Sequence, residues 1–426
     1  MQSFMRVFGG TVKGKTASKR LDVSNSPLGR PDRPIHILAG KIQEYVFFPS
    51  PDPLYVVLGT LAANMLKGVP VWIVLVGPPA SGKTLLLDML YINRQVRLPN
   101  LHTVDMIKGT GALLSGVNKK DKTKDATGGL LQQIGKKGIL IIKDFTSMMS
   151  LPHEVLIETI GAFRRIYDGA WDRPVGSDGG KVLTWDGKIG MLTACTGVID
   201  RHHQLLSELG ERWMYYRYDA SDGYGETKAV LDNTDPKASM LLLHELIKEF
   251  LDHVGVSWDV DGMERRELSS LESNRLFSLA AFAAASRSPV GRDWRTKEIT
   301  DVPETEKPTR LAAALGQLYL GLEIIGLDDV ERWRVVSRVA LDSVPRLRSM
   351  IIKHAMNGGA YSVASLKDII GCGNNTIRWA FEEMERHGVF EQVERGDRLG
   401  DKVGSWRLTQ WSRKCLRLGW EGEVSR

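Results

Sequence analysis

At 426 residues the chain is long for a single domain, so more than one core is expected. Apolar residues at 42% and charged residues at 25% exclude a collagen-like, a mostly disordered or a disulfide-scaffold protein. Three widely spaced cysteines, Cys195, Cys372 and Cys415, can build neither a disulfide framework nor a four-cysteine zinc site, and they fit a reducing, cytoplasmic compartment; a net charge of +6 permits a polyanionic partner without demanding one.

In chain order, residues 1–34 lack the apolar core of a secretory signal and read as a basic, flexible tail, carrying Arg6, Lys13, Lys15, Lys19, Arg20, Arg30 and Arg33 against Asp22 and Asp32. Such a tail is either a solvated terminus or an arm touching nucleic acid. Residues 53–68 predict a helix closed by Gly68, and 71–76 (VWIVLV) a buried strand. The most apolar stretch, 55–76, is broken by Asn64, Lys67, Gly68 and Pro70, so no membrane span is predicted. A glycine loop follows, then a helix over LLLDMLYINRQ, strands at 101–107 and 139–142, a helix over 153–168, a hairpin over 171–185, and strands at IGMLTAC and WMYYRY. Five strands separated by helices imply an α/β domain with a largely parallel sheet over residues 35–235. Residues 236–345 read as all-helical, with the polar, charged segment 292–308 as a loop between helices. A third pattern, short helices followed by an alternating stretch, fills 346–426.

The loop GPPASGKT (Gly77, Pro78, Pro79, Ala80, Ser81, Gly82, Lys83, Thr84, followed by Leu85) meets the Gly-x4-Gly-Lys-Ser/Thr pattern of phosphate-binding loops, between a strand and a helix start. Gly77 and Gly82 let backbone N–H groups point at a β-phosphate, helped by the following helix dipole. Lys83 is expected at the β/γ-phosphates of ATP, and Thr84 on Mg²⁺. A metal carboxylate is expected at the end of a later strand, and ILIIKDF offers Asp144. Here the order Lys143, Asp144, Phe145 leaves one acid for two roles, Mg²⁺ ligand or polariser of water. The first is favoured, with a helix cap as the bland alternative.

With these residues the chain resembles AAA+ ATPases, in particular the clade of minichromosome maintenance helicases and magnesium chelatases, over residues 50–345. The stretch GGLLQQIGKKGILIIKDF resembles that clade's small helix, glycine turn and metal-binding strand. The resemblance implies a P-loop NTPase core with a five-stranded parallel sheet of AAA+ type and a helical lid. It also implies a sensor of the γ-phosphate at Thr196, where the family usually has Asn, an arginine finger at Arg212 and a second sensor at Arg310. A finger acting from a neighbouring subunit implies a homo-oligomeric ring. Each has a plain counterpart: a cap or turn residue at Thr196, a solvated Glu-Arg pair at Arg212, a surface Arg at Arg310. The hairpin lies where helicase members carry a DNA-contacting hairpin, with Lys181 near its tip, although a Gly-rich hairpin is equally a tight connector. The run KKDKTKD at 119–125 is a second candidate contact loop, or simply a solvated charge run.

Residues 361–386 read as helix, short turn, helix, with Ser362 and Asn375 as start signals. The two strands expected next complete a winged-helix pattern resembling bacterial repressor domains. Asn374, Asn375, Thr376 and Arg378 would face a DNA major groove, Arg395, Arg398 and Lys402 on the wing would meet phosphates, and Trp379, Phe381 and Met384 would form the core. Winged helices also serve as protein-protein modules. An AAA+ core with a terminal winged helix is similar in layout to origin-binding initiators and to uncharacterised ATPases of actinobacteria and their phages. The expected activity is ATP-dependent DNA remodelling, with an ATP-gated transcriptional regulator or a protein-remodelling ATPase as alternatives.

Overall fold

A computed structural model describes residues 33–114, 129–175, 181–208, 210–219, 223–256, 258, 262–393 and 404–420. Residues 1–32 of the basic tail, the charged run at 119–125 and Arg395, Arg398 and Lys402, expected on a wing, lie outside the described residues, as does the side chain of Lys181.

Five strands form one sheet: β1 (Trp72–Val76), β2 (Leu101–Val104), β3 (Lys137–Ile142), β6 (Lys188–Cys195) and β7 (Met214–Arg217), and the interior strands β1, β3 and β6 are the continuously buried ones. The order is β2-β3-β6-β1-β7 and every pairing is parallel. Continuous rather than alternating apolar character is what a sheet covered on both faces demands. Ile73, Leu75, Ile139 and Ile141 point into one core, whereas Trp72, Val74, Val76, Leu140 and Ile142 point into another. On the second face Trp72 meets Phe163 of the helix His153–Tyr167 edge-on at 5.9 Å and lies 5.3 Å from Trp213.

The first face is covered by the helix Asp52–Met65, all of whose residues are buried. At its end Asn64 fixes the entry to β1: its Oδ1 accepts from the Val71 N–H and its Nδ2 donates to the Val71 carbonyl, both at 2.9 Å. Beyond Asn64, Lys137 and Lys188 donate to the carbonyls of Met65 and Leu66 at 3.1 and 2.6 Å, satisfying carbonyls at the end of the helix. The helix Thr309–Ile324 crosses Asp52–Met65 at Gly59 and Gly321, where a Cβ on Gly321 would stand 2.2 Å from the Gly59 carbonyl oxygen. One apolar core therefore runs from Ile35 through the helices of the 236–345 segment to Leu416.

Two local departures from the sequence reading have physical causes. The helix after the glycine loop spans only Lys83–Asp88, because Asn93 Oδ1 accepts from the Gln95 and Val96 N–H groups at 2.8 and 2.9 Å and holds a turn instead. The 292–308 segment is not all loop, since β8 (Gly291–Arg292) pairs with β9 (Ile299–Asp301). Between β3 and β6 the expected hairpin is present as β4 (Ala170–Val175) and β5 (Lys181–Asp186). It springs from the amino-terminal edge of the sheet, where Trp185 Nε1 donates to the Gly135 carbonyl at 2.9 Å.

In the last segment β10 (Tyr361–Ser362), β11 (Phe390–Val393) and β12 (Ser405–Leu408) form an antiparallel sheet in the order β10-β12-β11 beside the helices Val363–Ile370 and Asn374–Arg386. Ser362 caps the first helix through the Ser365 N–H at 3.1 Å. Asn375 is not a cap: its helix begins one residue earlier, after Gly373. Phe381 and Met384 are fully buried, but Trp379 is only half-buried and lies under Arg292.

Candidate functional site

The chain leaves the carboxyl ends of β1 and β6 in opposite directions. From β1 it passes to β2, beyond β6, by way of Leu86 and Leu87 on the first face. From β6 it passes to β7, beyond β1, by way of Ile199 and Leu206 on the second. Such a reversal opens a crevice outside the carboxyl ends of a parallel sheet. Gly77–Thr84 sits at this point, tied down by Gly77 N–H to the Cys195 carbonyl at 3.2 Å and Tyr218 N–H to the Val76 carbonyl at 2.8 Å. A Cβ at Gly77 would press on Ser81 Oγ and Tyr218 Cβ at 3.0 Å each. Ala80 and Gly82 take positive φ (62° and 79°), and the glycine does so without strain. Pro78, Pro79, Ala80 and Thr84 are exposed, and Ser81, Gly82 and Leu85 are half-buried. The helix after the loop is a turn and a half long, so its dipole is small, and attraction for an anion falls mainly on the loop N–H groups and Lys83.

Lys83 is 7% exposed, and its Nζ donates to the Pro78 carbonyl and to Ser81 Oγ at 3.0 Å. Burial pushes its ammonium below the ordinary lysine range, and the Cys195 side chain partly offsets this. Among the described residues no carboxylate pairs with it. A buried cation held by two neutral oxygens fits an incoming phosphate, which supplies the counter-charge the protein withholds.

At the end of β3, Lys143 and Asp144 continue the ladder toward β2, their N–H groups donating to Val104 and Asp105 carbonyls at 3.0 and 2.9 Å. Alternation sends their side chains to opposite faces. Lys143 pairs at 2.6 Å with Asp88 at the end of the loop helix, on the face opposite Asp144. Asp144 is exposed and caps the helix Phe145–Met149, taking the Ser147 N–H at 2.9 Å and the Ser147 hydroxyl. The cap leaves lone pairs free on both carboxylate oxygens. Among the described residues no cluster of three His, Cys, Asp or Glu exists. The available donors, one carboxylate and the exposed Thr84 hydroxyl, match a Mg²⁺ ion that keeps waters and binds phosphate oxygens.

Thr146, not singled out in the sequence, joins the two strand ends. Its Oγ1 accepts from the Thr196 N–H at 3.1 Å and donates to Cys195 Sγ at 3.6 Å. Burial raises the Cys195 thiol above its usual range, Thr146 opposing and the nearby Asp144 adding to the rise. Lys83, Asp144, Cys195 and Thr196 are thus assembled at one edge. Thr196 precedes the 3₁₀ turn Gly197–His202 without a side-chain cap bond.

Arg212 and Arg310 are elsewhere. Arg212 precedes β7, level with Val71, which at ~3.3 Å per residue is roughly 16 Å down the sheet from Val76. It is buried, with Nη1 donating to the Gly210 carbonyl at 2.6 Å, Nη2 3.4 Å from Asp168, and Nε without a partner. Exposed Arg310 reaches the Glu211 carbonyl at 3.3 Å, and a Cβ on Gly210 would lie 3.0 and 3.3 Å from the two guanidinium groups. The two arginines converge with each other at the amino-terminal edge and not with Lys83 at the carboxyl edge. In the last segment Asn374, Asn375, Thr376 and Arg378 are all exposed at the start of one helix.

No protein-family model matches the chain, and no curated protein matches it at a significant level. Among the described residues no helix is long and apolar enough to cross a membrane.

Proposed function

We propose that the chain is an ATPase of AAA+ type, with a P-loop core, a helical lid over 236–345 and a C-terminal winged helix, which binds and hydrolyses ATP with Mg²⁺ to remodel or load onto DNA. The observation that carries the reading is Lys83, a buried ammonium without a carboxylate partner in a glycine loop at the reversal point of a parallel sheet. On phosphate binding Lys83 exchanges Pro78 and Ser81 for β/γ oxygens, and the N–H groups of Ala80–Leu85 cradle the phosphates. Thr84 and Asp144 would hold the metal, which when bound would neutralise charge on the phosphate oxygens. Arg212 and Arg310 are too far from the chain's own loop to share its phosphate; Arg212 is buried, and exposed Arg310 is the one of the two open to a neighbouring copy in a ring. Asn374, Asn375, Thr376 and Arg378, with Lys181 of the β4–β5 hairpin, are the proposed DNA contacts.

One observation favours a second reading, an ATP-gated regulator that scarcely hydrolyses. Where a second acid would polarise the attacking water stands Phe145, fully buried in the core. Titration of a fluorescent ATP analogue separates nucleotide binding from turnover. The wild type is expected to bind with Mg²⁺, and Lys83→Ala to lose at least about 100-fold in affinity, of the order of removing a charge-assisted bond to a desolvated phosphate. Equal binding by both proteins would remove the P-loop assignment.

A further inference from the structure

The β8–β9 hairpin, which the proposed ATPase cycle does not use, stands against the helix Asn374–Arg386. Its base is clamped by Arg292, whose Nε lies 2.7 Å from Glu383 Oε1 and whose Nη2 lies 3.0 Å from Glu382 and 3.1 Å from the Trp379 carbonyl oxygen. Its tip is ordered by its own bonds: Asp293 Oδ1 accepts from the Arg295 and Thr296 N–H groups at 2.7 and 2.8 Å, and the Asp293 N–H donates to the Glu298 carbonyl at 2.9 Å. On this fixed tip Trp294 is 77% exposed, with the Arg295 guanidinium 5.5 Å from its ring centroid. A groove of about 420 Å³ separates the Lys297 flank of the hairpin from Arg378 and Arg386 on the helix.

The helix cannot hold a nucleic acid along its whole length. After Arg378 it carries Glu382, Glu383 and Glu385, which repel phosphates. Arg292 pairs with the first two and Arg348 with Glu383 at 2.8 Å, so that two cations balance these two carboxylates. The hairpin then supplies Arg295 at its tip and Lys297 on the groove wall, neither ion-paired within 4 Å among the described residues; Lys297 faces Arg378 and Arg386 across a groove whose lining also holds Glu298 and Glu385. An exposed indole beside free cations, on a tip too well ordered to tuck it away, is the composition that stacks an unpaired base and tracks its phosphates.

The geometry points to the β8–β9 hairpin as a stacking platform for an unpaired nucleotide flanking duplex DNA held by the helix Asn374–Arg386, with Trp294 taking the base and Arg295 and Lys297 the adjoining phosphates. This rests on the reading of the C-terminal helices as DNA-binding. The ligand is a junction of double and single strand.

Fluorescence anisotropy with a blunt duplex and the same duplex bearing a short single-stranded overhang tests it. The wild type is expected to prefer the overhang by roughly tenfold, the range of one base stacked on an aromatic ring. Trp294→Ala is expected to abolish that preference while leaving blunt-duplex affinity unchanged, and Trp294→Phe to retain most of it. Arg295→Ala with Lys297→Ala is expected to reduce the salt dependence of overhang binding, by about 0.7 in slope for each phosphate no longer neutralised. Equal wild-type affinity for both DNAs, or a preference that survives in Trp294→Ala, overturns the platform alone, and Arg378→Ala then still reports on the helix. Failure of the wild type to bind either DNA at low salt overturns the platform and the DNA reading together.

Discussion

Asp144 caps the helix Phe145–Met149 and is the proposed metal carboxylate, and a single substitution separates the two roles. Asn caps helices about as well as Asp. Asp144→Asn is therefore expected to keep stability within roughly 1 kcal/mol in urea unfolding, while Mg²⁺-dependent ATP turnover falls at least tenfold; unchanged turnover would leave the residue a cap only. His203 poses a different test. Its ring nitrogen lies 2.6 Å from the Arg287 carbonyl oxygen, and burial, with Arg348 nearby, lowers its pKa to about 3. The unfolded chain takes this proton near pH 6.5 and the folded chain only near 3, so the unfolded state binds more protons in between. Stability is lost as pH falls from 6.5 toward 3, and no loss from this group arises above 6.5. Unfolding midpoints at pH 7 and pH 4.5 are expected to differ more for the wild type than for His203→Asn; equal differences would contradict it.

At the scale of elements, the two glycines at the crossing of Asp52–Met65 and Thr309–Ile324 set the distance between the helices. A side chain at Gly321 meets the Gly59 carbonyl oxygen and the Ala63 backbone, so Gly321→Val is expected to cost on the order of 1–3 kcal/mol or more. Thermal unfolding reads this directly, and a neutral result would mean that the crossing relaxes. Neither glycine's role was legible in the sequence, where each looks like a flaw in a helical pattern. The five strands were legible, because unbroken runs such as VWIVLV and ILII have no stable place except inside a covered sheet. The β8–β9 hairpin was not, since strands of two and three residues carry no period. The loop helix was overextended because its apolar pattern continues past Asp88, where Asn93 turns the backbone. Sequence placed Lys83 and Asp144 by motif and spacing, but the Lys143–Asp88 pair and the Thr146 bridge join residues about fifty positions apart and emerge only once the sheet orders them.

Across the whole molecule, charge networks fasten the end of β7 to the helices that follow it. Asp342, fully buried, accepts from the Arg217 backbone N–H at 2.9 Å and from Lys353 at 3.1 Å, while Arg217 holds Asp200 in a two-pronged pair at 2.8 and 2.9 Å. Tyr218, the next residue, packs on Gly77 of the glycine loop. A change at the loop is therefore two residues from the junction of sheet and helices, and the continuous core carries on from there to the C-terminal segment. This gives a physical route by which the proposed nucleotide and DNA sites can influence each other. The central claim, that nucleotide turnover is coupled to DNA, is tested most directly by steady-state ATP hydrolysis of the purified chain with and without single-stranded, double-stranded and overhang DNA, beside Lys83→Ala. The account predicts slow turnover that rises with DNA and vanishes in Lys83→Ala. Turnover indifferent to every form of DNA, or persisting in Lys83→Ala, would contradict it.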